Sequence, residues 1–316
     1  MEDIFIAIKK EMDIFEQQYL DIVNQNELIA SYVSKDNGAK LIRPAVVFLT
    51  AGLCGAITPQ TQKLALAVEL MHHSSLIHDD VIDNGQKRRN CNTINALHGN
   101  QLAVLIGDYF LSQTMKQIVS TGNIDILTDI TYVAETMVLG ELLQIQLNKA
   151  RSLSIEQYFE TIRKKTAVLL ATCFKLGAYS TKIPQQQIQK WYDMGISFGL
   201  AFQMADDISD YYLKTNNKDA NKDIKEHKIT LPLIAALTNM STMQQQRLLN
   251  LYFYHNGTEE EIGKIIHLVI KNGGIEKALH IMNQKAQLFD DFLQDFPQNV
   301  YREALWQMLN KIISVK

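Results

Sequence analysis

Proline is scarce in this sequence. There are 5 prolines among 316 residues, and none lies between Pro59 and Pro184. Proline interrupts helices and favours turns, so its absence from such a long stretch excludes a fold built from many tight turns. The sequence instead favours long helices.

Cysteine is scarce as well. The 3 cysteines are far apart and form no CxxC pair, which excludes a disulfide framework and a paired-cysteine zinc site. The first twenty residues mix acids with lysines and lack the basic-then-apolar order of a signal peptide. The longest charge-free apolar stretch, residues 45–58, is shorter than the ~18–20 residues that span a bilayer. We therefore expect a cytoplasmic protein.

An excess of positive charge is also missing. The 31 basic and 34 acidic residues give a net charge of −3. Binding to a phosphate backbone requires a basic surface, so we expect no nucleic-acid partner.

What the sequence does contain is a helical period. Apolar residues recur at spacings of three and four, as in the run from Phe198 to Ile208. No stretch has the length or composition of a domain linker. We predict an all-α fold in which residues 1–316 form a single domain, a bundle of about a dozen helices around a central cavity. The predicted helices are 2–32, 43–54, 59–83, 98–120, 124–149, 154–181, 185–212, 230–239, 241–254, 257–272, 274–295 and 298–314.

Two aspartate clusters share the pattern DDxxD. The first contains Asp79, Asp80 and Asp83, and the second contains Asp206, Asp207 and Asp210. On a helix, residues four apart lie on one face, and each cluster ends a long apolar segment. Buried carboxylates need a compensating cation, and hard oxygen ligands of this kind suit Mg²⁺. Both clusters are therefore predicted to bind metal.

The alternative is an acidic helix end in solvent. We expect this for a third acidic group with different spacing, Asp290, Asp291 and Asp295. The repetition of one spacing on two apolar helices favours the metal interpretation for the other two clusters.

Several basic residues are placed to meet a phosphate. Arg88 and Arg89 directly follow the first aspartate cluster, and arginine binds phosphate oxygens with two parallel hydrogen bonds. Lys40, Arg43, Lys165 and Lys228 lie beside apolar helices and extend the set. Two metal sites that hold polyanions would need several such cations.

Histidines also crowd the first cluster. Glu69 and His72 form an ExxH pair, which is one element of a di-iron bundle, but that fold needs a second ExxH and the sequence has none. His73 and His78 are expected to pack rather than to bind metal.

With these motifs the sequence resembles the trans-type isoprenyl diphosphate synthases, in particular their long-chain polyprenyl branch. The matching segments occur in the family's order and cover nearly the whole chain. They are GAKLIRP (38–44), ELMHHSSLIHDDVID (69–83), RR (88–89), GDYFL (107–111), GELLQ (140–144), KT (165–166), GLAFQMADDISD (199–210) and DIKEHKITLPL (223–233).

The resemblance implies the isoprenoid synthase fold and a role for each matching residue. The six aspartates of the two clusters would hold about three Mg²⁺ on an allylic diphosphate. The residues implied to bind that diphosphate are Arg88, Lys165, Thr166, Gln203 and Lys228. The residues implied to bind isopentenyl diphosphate are Lys40, Arg43, His72 and Arg89. Leu41 stands where the family usually has one more arginine.

The implied reaction is a Mg²⁺-dependent prenyl transfer. Metal and basic groups neutralise the departing pyrophosphate, and the alkene of isopentenyl diphosphate attacks the resulting allylic cation. The starter would be farnesyl or geranylgeranyl diphosphate, and the product would serve as a quinone side chain. The resemblance also implies a homodimer and transient proximity to a membrane for product release.

Product length is expected to depend on residues below the first cluster, namely Met71, Ser74 and Ser75. Short-chain relatives carry an aromatic residue four or five positions upstream of the motif, whereas this chain has two serines. We predict growth beyond C20, to about C30–C40, in a tunnel whose floor is Met71 or a residue of 130–137. Replacing Ser74 with phenylalanine should then shorten the product, unless the serines are ordinary packing residues.

The sequence is also compatible with three alternatives. They are a shorter-chain geranylgeranyl or farnesyl diphosphate synthase, the catalytic subunit of a heterodimeric heptaprenyl or hexaprenyl diphosphate synthase, and a terpene cyclase. A cyclase generally pairs one DDxxD with a different second motif. A regulatory subunit would have lost metal ligands, and this chain keeps all six aspartates.

Overall fold

The computed structural model describes residues 2–33, 40–88, 91–151, 153–212 and 221–315. Within these ranges the chain is almost entirely helical, which confirms the all-α prediction. The α-helices are α1 Glu2–Phe5, α2 Lys9–Asn24, α3 Glu27–Ala30, α4 Ile42–Cys54, α5 Pro59–Ile82, α6 Ile94–His98, α7 Asn100–Val119, α8 Ile124–Ala150, α9 Ile155–Ile162, α10 Val168–Tyr179, α11 Gln185–Ser209, α12 Lys222–Lys225, α13 Leu231–Leu237, α14 Thr242–Tyr254, α15 Glu259–Lys271, α16 Gly274–Gln294 and α17 Val300–Ile313. A 3₁₀ turn spans Ile6–Ile8, a π-helical turn spans Arg163–Ala167, and strands β1 and β2 span Lys87–Arg88 and Cys91–Asn92.

Two predicted helices are interrupted in the structure. The segment 2–32 divides into α1, the 3₁₀ turn, α2 and α3, and the Asn26 side chain caps α3 by accepting a hydrogen bond from the Leu28 N–H. The segment 154–181 has Ser154 as the N-cap of α9, and its centre is the π-helical turn between α9 and α10. Apolar periodicity does not reveal either interruption, because the period resumes immediately afterwards.

The polar segment after α5 contains an antiparallel hairpin that the sequence did not predict. Lys87 pairs with Asn92, and Arg88 pairs with Cys91. Of the second polar segment, residues 213–220 lie outside the described ranges, and the remainder contains α12. The hairpin gives Arg88 a fixed backbone close to the end of α5.

Contacts divide the chain into two compact units. The first unit comprises Met1–Ala134, Thr172–Tyr192 and Phe296–Leu305. Its core includes the fully buried Phe48, Phe110 and Trp191, and α5 packs along both α4 and α7. A capping box formed by Thr58 and Thr61, with Pro59 at the first helical position, fixes the start of α5. The first aspartate cluster therefore lies at the C-terminal end of a rigidly anchored helix.

The second unit comprises Glu135–Ala171, Asp193–Asp295 and Trp306–Lys316. The short, completely buried α13 packs against α15 and α16, and Phe198 and Phe289 meet with ring centroids 5.1 Å apart. The second aspartate cluster lies at the C-terminal end of α11. The single domain and the central cavity stay predictions. In the described ranges, no helix is both long and apolar enough to cross a membrane.

Candidate active site

The first aspartate cluster occupies the last turn of α5. Asp79 is half-buried, Asp80 is buried, and Asp83 is exposed at the C-cap, where its N–H donates to the Asp79 carbonyl at 2.8 Å. Because Asp79 and Asp83 are four residues apart, they share one face of the helix, and Asp80 is rotated away from them.

Asp80 is held by Arg88 through a two-pronged ion pair. Arg88 Nη2 donates to Asp80 Oδ1 at 2.8 Å, and Arg88 Nε donates to Asp80 Oδ2 at 2.9 Å. This is the bidentate geometry that makes guanidinium–carboxylate pairs strong and directional. Arg88, predicted to bind a diphosphate, is therefore positioned beforehand by a residue of the aspartate cluster.

The segment between α5 and the hairpin is fastened to the helix end. Gly85 N–H donates to the Asp80 carbonyl at 2.9 Å, and the Asn95 side-chain amide donates to the carbonyls of Asp80 and Gly85, each at 3.1 Å. Thr93 Oγ1 adds a hydrogen bond to the Gly85 carbonyl at 2.6 Å. These contacts fix the approach of the hairpin to the cluster.

The second aspartate cluster occupies the end of α11 and is more deeply buried. Asp206 is exposed, whereas Asp207 and Asp210 are 4% and 6% exposed. Asp207 Oδ2 accepts a hydrogen bond from the Tyr158 hydroxyl at 2.6 Å, and Asp207 Oδ1 accepts one from Gln203 Nε2 at 2.8 Å. Burial, and then the charge of Asp207, raises the pKa of Tyr158 well above its ordinary value, so the tyrosine stays a donor.

Asp210 is bound by the backbone that begins α12. Its two carboxylate oxygens accept hydrogen bonds from the N–H groups of Lys222 at 2.9 Å and Asp223 at 3.1 Å. Burial, and then the charge of Asp223, raises the pKa of Asp210 to about 7 and also raises that of Asp207. One poorly solvated region of the second unit therefore contains three acidic residues, Asp207, Asp210 and Asp223.

Lys165 and Thr166 lie in the π-helical turn. Lys165 Nζ forms an ion pair with Glu141 and donates to Gln144 Oε1 at 2.7 Å. Thr166 Oγ1 donates to Gln203 Oε1 at 2.7 Å. π-helical turns are rare and often occur at functional sites, because they displace a side chain from the regular helical position.

Two glycines allow neighbouring helices to approach this turn closely. A Cβ atom added at Gly140 of α8 would lie 2.8 Å from the backbone nitrogen of Lys165. A Cβ atom added at Gly199 of α11 would lie 2.6 Å from the Ala167 Cα. Both distances are below van der Waals contact, so only glycine fits at either position. The segments GELLQ, KT and GLAFQ, distant in sequence, thus meet at one place.

Lys228 is also paired with acids. Its Nζ lies 2.7 Å from Glu226 Oε2 and 3.6 Å from Asp223 Oδ1. Arg88, Lys165 and Lys228, which the sequence predicts as diphosphate ligands, each have a carboxylate partner in this structure. A partner of this kind keeps the long cationic side chain near one position before an anion arrives.

The residues predicted to bind isopentenyl diphosphate belong to the first unit. Lys40 is exposed just before α4, Arg43 is half-buried in the first turn of α4, and His72 is half-buried on α5. Leu41 caps α4 in the left-handed region at φ 47°, a conformation that is strained for leucine. Arg89 lies outside the described residues.

The predicted chain-length residues differ in their surroundings. Ser74 is 3% exposed, and its hydroxyl donates to the Gly107 carbonyl of α7 at 2.8 Å. Ser75 is half-buried and donates to the His72 carbonyl of its own helix at 2.8 Å. Met71 is buried. Ser75 and Met71 lie four and eight residues before Asp79, so these three share a helix face, whereas Ser74 belongs to the contact with α7.

His73 and His78 occupy packing positions. His73 pairs with the Tyr19 hydroxyl and packs on Phe110, with ring centroids 4.3 Å apart. His78 lies 3.4 Å from Asp108 on α7. The third acidic group is exposed or half-buried at the end of α16, where Gln287 donates to Asp291 at 2.8 Å.

The donor set fits a hard divalent cation. The second cluster holds buried carboxylates whose pKa values are raised, first by burial and then by the charge of Asp223, and a bound cation would favour their ionised form. Among the described residues, no three histidine, cysteine, aspartate or glutamate side chains converge as a closed metal site. Mg²⁺ usually keeps waters and takes phosphate oxygens, so it does not require an all-protein shell.

Sequence reasoning missed several contributors. No role was predicted for Tyr158, Glu141, Gln144 or Asp223, although the last three lie within the matching segments GELLQ and DIKEHKITLPL. The spacing of Glu141 and Gln144, three apart on a helix, and of Tyr158, two turns before Lys165, could have indicated a shared face.

The chain is similar in sequence to known polyprenyl diphosphate synthases. The chain is 30% identical to solanesyl diphosphate synthase 2, chloroplastic, of Arabidopsis thaliana, over 98% of this chain and 76% of that protein. It is 30% identical to the all-trans-nonaprenyl-diphosphate synthase (geranyl-diphosphate specific) of Rhodobacter capsulatus, over 96% of this chain and 94% of that protein.

A solved structure is also similar. The polyprenyl synthase from Caulobacter crescentus CB15, complexed with calcium and isoprenyl diphosphate, superposes with a TM-score of 0.91 at 29% identity, over 99% of this chain and 97% of that one. The family model for polyprenyl synthetase matches residues 18–269. The chain therefore belongs to the polyprenyl synthetase family.

Proposed function

We propose that this protein is an all-trans polyprenyl diphosphate synthase that adds isopentenyl diphosphate to farnesyl or geranylgeranyl diphosphate. One observation carries the proposal. DDxxD ends both α5 and α11, and each cluster has a cation held by a carboxylate beside it: Arg88 in the first unit and Lys228 in the second. The similar nonaprenyl synthase supports a long-chain product, for which we propose about C30–C40.

The aspartates supply the metal ligands in this proposal. The first cluster contributes Asp79, Asp80 and Asp83, and the second contributes Asp206, Asp207 and Asp210, for about three Mg²⁺. When bound, Mg²⁺ neutralises the negative charge of the diphosphate leaving group. Asp223 lies close enough to raise the pKa of Asp210 and is a further candidate ligand.

The basic residues bind the allylic diphosphate. Arg88, Lys165 and Lys228, with Thr166 and Gln203 nearby, donate hydrogen bonds to its oxygens. As the C1–O bond breaks, the electron pair goes to the departing pyrophosphate, and these fixed donors stabilise the charge that develops there. For this step Lys165 exchanges its partners Glu141 and Gln144 for phosphate oxygens.

Lys40, Arg43, His72 and Arg89 bind isopentenyl diphosphate. Its alkene attacks the allylic cation at C1, forming the new carbon–carbon bond. Loss of a proton, for which the released pyrophosphate is a candidate base, gives the trans double bond. Apolar helix faces exclude water from the cation, which would otherwise be hydrolysed.

Exposed apolar residues support a homodimer. On α7, Val104 and Leu105 are 41% and 64% exposed. On the second part of α8, Val138 and Leu142 are 61% and 51% exposed. Clusters of exposed apolar residues often mark protein–protein contacts. We propose that a second copy covers them in the cytoplasm, and that the apolar product leaves toward a nearby membrane.

The test is to incubate the purified protein with Mg²⁺, labelled isopentenyl diphosphate and farnesyl diphosphate, and to size the products by chromatography. We expect polyprenyl diphosphates longer than C20 and no product when EDTA removes the metal. Asp79→Ala and Asp206→Ala should each lower kcat by about 100-fold or more. Asp291→Ala, in the acidic group at the end of α16, is the matched control and should leave the rate unchanged.

Other results would redirect the proposal. Products that stop at C15–C20 would indicate a short-chain synthase, and a cyclic hydrocarbon would indicate a cyclase. No incorporation unless a second protein is added would indicate a heterodimeric enzyme.

A further inference from the structure

The hydrogen bonds around Asp207 suggest a role for a residue that the sequence did not single out. Tyr158 lies on α9 and is 5% exposed. Its hydroxyl donates to Asp207 Oδ2 at 2.6 Å, while Gln203 Nε2 donates to Asp207 Oδ1 at 2.8 Å. Both oxygens of this buried carboxylate are thus held from different directions.

The same contacts extend to the π-helical turn. Gln203 lies four residues before Asp207 on α11, and its amide oxygen accepts a hydrogen bond from Thr166 Oγ1 at 2.7 Å. A chain of three hydrogen bonds therefore runs from Thr166 through Gln203 and Asp207 to Tyr158. Its ends lie on the helical segment that also carries Lys165.

We infer that Tyr158 is a positioning residue, whose hydroxyl fixes the Asp207 carboxylate so that the second aspartate cluster meets its metal in a single orientation. The inference rests on the proposed function. Tyr158 itself touches neither substrate nor metal. Without the hydroxyl, the carboxylate would keep one donor and could rotate about its χ2 angle.

The residues that orient metal ligands typically contribute 10- to 100-fold to metal affinity or activity. We therefore expect Tyr158→Phe to weaken metal binding by about tenfold or more. The Mg²⁺ concentration needed for half-maximal activity should rise, and raised Mg²⁺ should restore kcat. A purely structural role would instead lower kcat at every Mg²⁺ concentration.

The test measures metal binding without catalysis. Mn²⁺ is titrated into the protein with inorganic pyrophosphate, and free Mn²⁺ is followed by electron paramagnetic resonance. Tyr158→Phe should raise the Kd for Mn²⁺, whereas Tyr179→Phe, which removes a tyrosine hydroxyl bonded to Asn123, should not. Gln203→Leu removes the other donor and should act in the same direction, which keeps the test available if Tyr158→Phe folds poorly.

A double-mutant cycle tests whether Tyr158 acts on metal binding through Asp207. In an Asp207→Asn background, Tyr158→Phe should change the Kd for Mn²⁺ by less than about twofold, because its effect passes through that carboxylate. An unchanged Kd in Tyr158→Phe, or an equal effect in both backgrounds, would overturn the inference.

The product assay on the unmodified protein separates this result from the proposed function. Prenyl transfer by the unmodified protein together with unchanged Mn²⁺ binding in Tyr158→Phe would overturn the inference alone. Weakened Mn²⁺ binding in Tyr158→Phe without any prenyl transfer by the unmodified protein would overturn the proposed function and support the positioning of Asp207.

Discussion

Replacing Ser75 with phenylalanine should shorten the product without unfolding the protein. Ser75 lies on the same face of α5 as Asp79, one turn below it, and its hydroxyl donates to the His72 carbonyl of its own helix. An aromatic ring at this position would close the proposed tunnel one turn below the cluster.

The helix geometry gives the size of the effect. With a rise of 1.5 Å per residue, Met71 lies about 12 Å along α5 from Asp79, whereas Ser75 lies about 6 Å from it. In a tunnel with Met71 as its floor, Ser75→Phe should therefore remove about half of the depth. We expect the main product to fall from about C30–C40 to about C15–C20. Because Ser75 is only half-buried, the free energy of unfolding should change by less than about 1 kcal/mol.

Ser74→Phe is the matched comparison, since sequence reasoning alone favoured it as the residue that sets product length. Ser74 is buried against α7, where its hydroxyl donates to the Gly107 carbonyl at 2.8 Å. Phenylalanine there would overpack the interface between α5 and α7, at a cost of roughly 1–3 kcal/mol. Its melting temperature should fall by several degrees.

The assay combines product sizing with thermal unfolding of both variants. Unchanged product length in a folded Ser75→Phe variant would refute the assignment of this helix face to the tunnel. A Ser74→Phe variant as stable as the unmodified protein would refute the packing argument at α7.

Three further predictions concern the packing of α11, the second aspartate cluster and the Arg88–Asp80 ion pair. Gly199→Ala should destabilise the protein by about 1–3 kcal/mol, because its Cβ would lie 2.6 Å from Ala167 Cα, whereas Gly263→Ala, with no atom within 4 Å, should not destabilise it; equal melting temperatures would contradict this. The pKa of Asp210 is about 7 in the folded protein and near ~4 in the unfolded chain, so the folded state binds more protons between these values. The stability of the metal-free protein should therefore fall as the pH rises from about 4 through about 7. In thermal unfolding, Asp210→Asn should make stability less dependent on pH over this range. Arg88→Lys cannot make two parallel hydrogen bonds to Asp80, so it should raise the KM for the allylic diphosphate by about tenfold, and an unchanged KM would show that the paired geometry is not used in binding.

The sequence predicted the helical class because long apolar periods without proline leave few alternatives. It placed the two aspartate clusters at the ends of the helices predicted as 59–83 and 185–212, which the structure ends at Ile82 and Ser209. It did not predict the hairpin of Lys87–Arg88 and Cys91–Asn92, because two-residue strands have no periodicity to detect. Hydrogen bonds from Thr93 and Asn95 to the Gly85 carbonyl help hold that segment, and they connect residues that no local pattern links.

The partners of the charged residues were equally hidden. Lys165 was recognised as a candidate cation, but its ion pair with Glu141 depends on the close approach of α8 at Gly140. No role was predicted for Tyr158, because its hydroxyl contacts Asp207 across 49 positions of sequence. Sequence identifies which residue types are available, whereas helix packing decides which of them meet.

The π-helical turn at Arg163–Ala167 also affects how this region can change during evolution. Such a turn holds one residue more than a regular α-helical turn, and removing that residue would rotate the following residues by about 100° relative to α9. Thr166 would then lose its alignment with Gln203, and Ala167 its fit against Gly199. The fold of this region should therefore tolerate substitutions at positions other than Lys165 and Thr166 more readily than insertions or deletions.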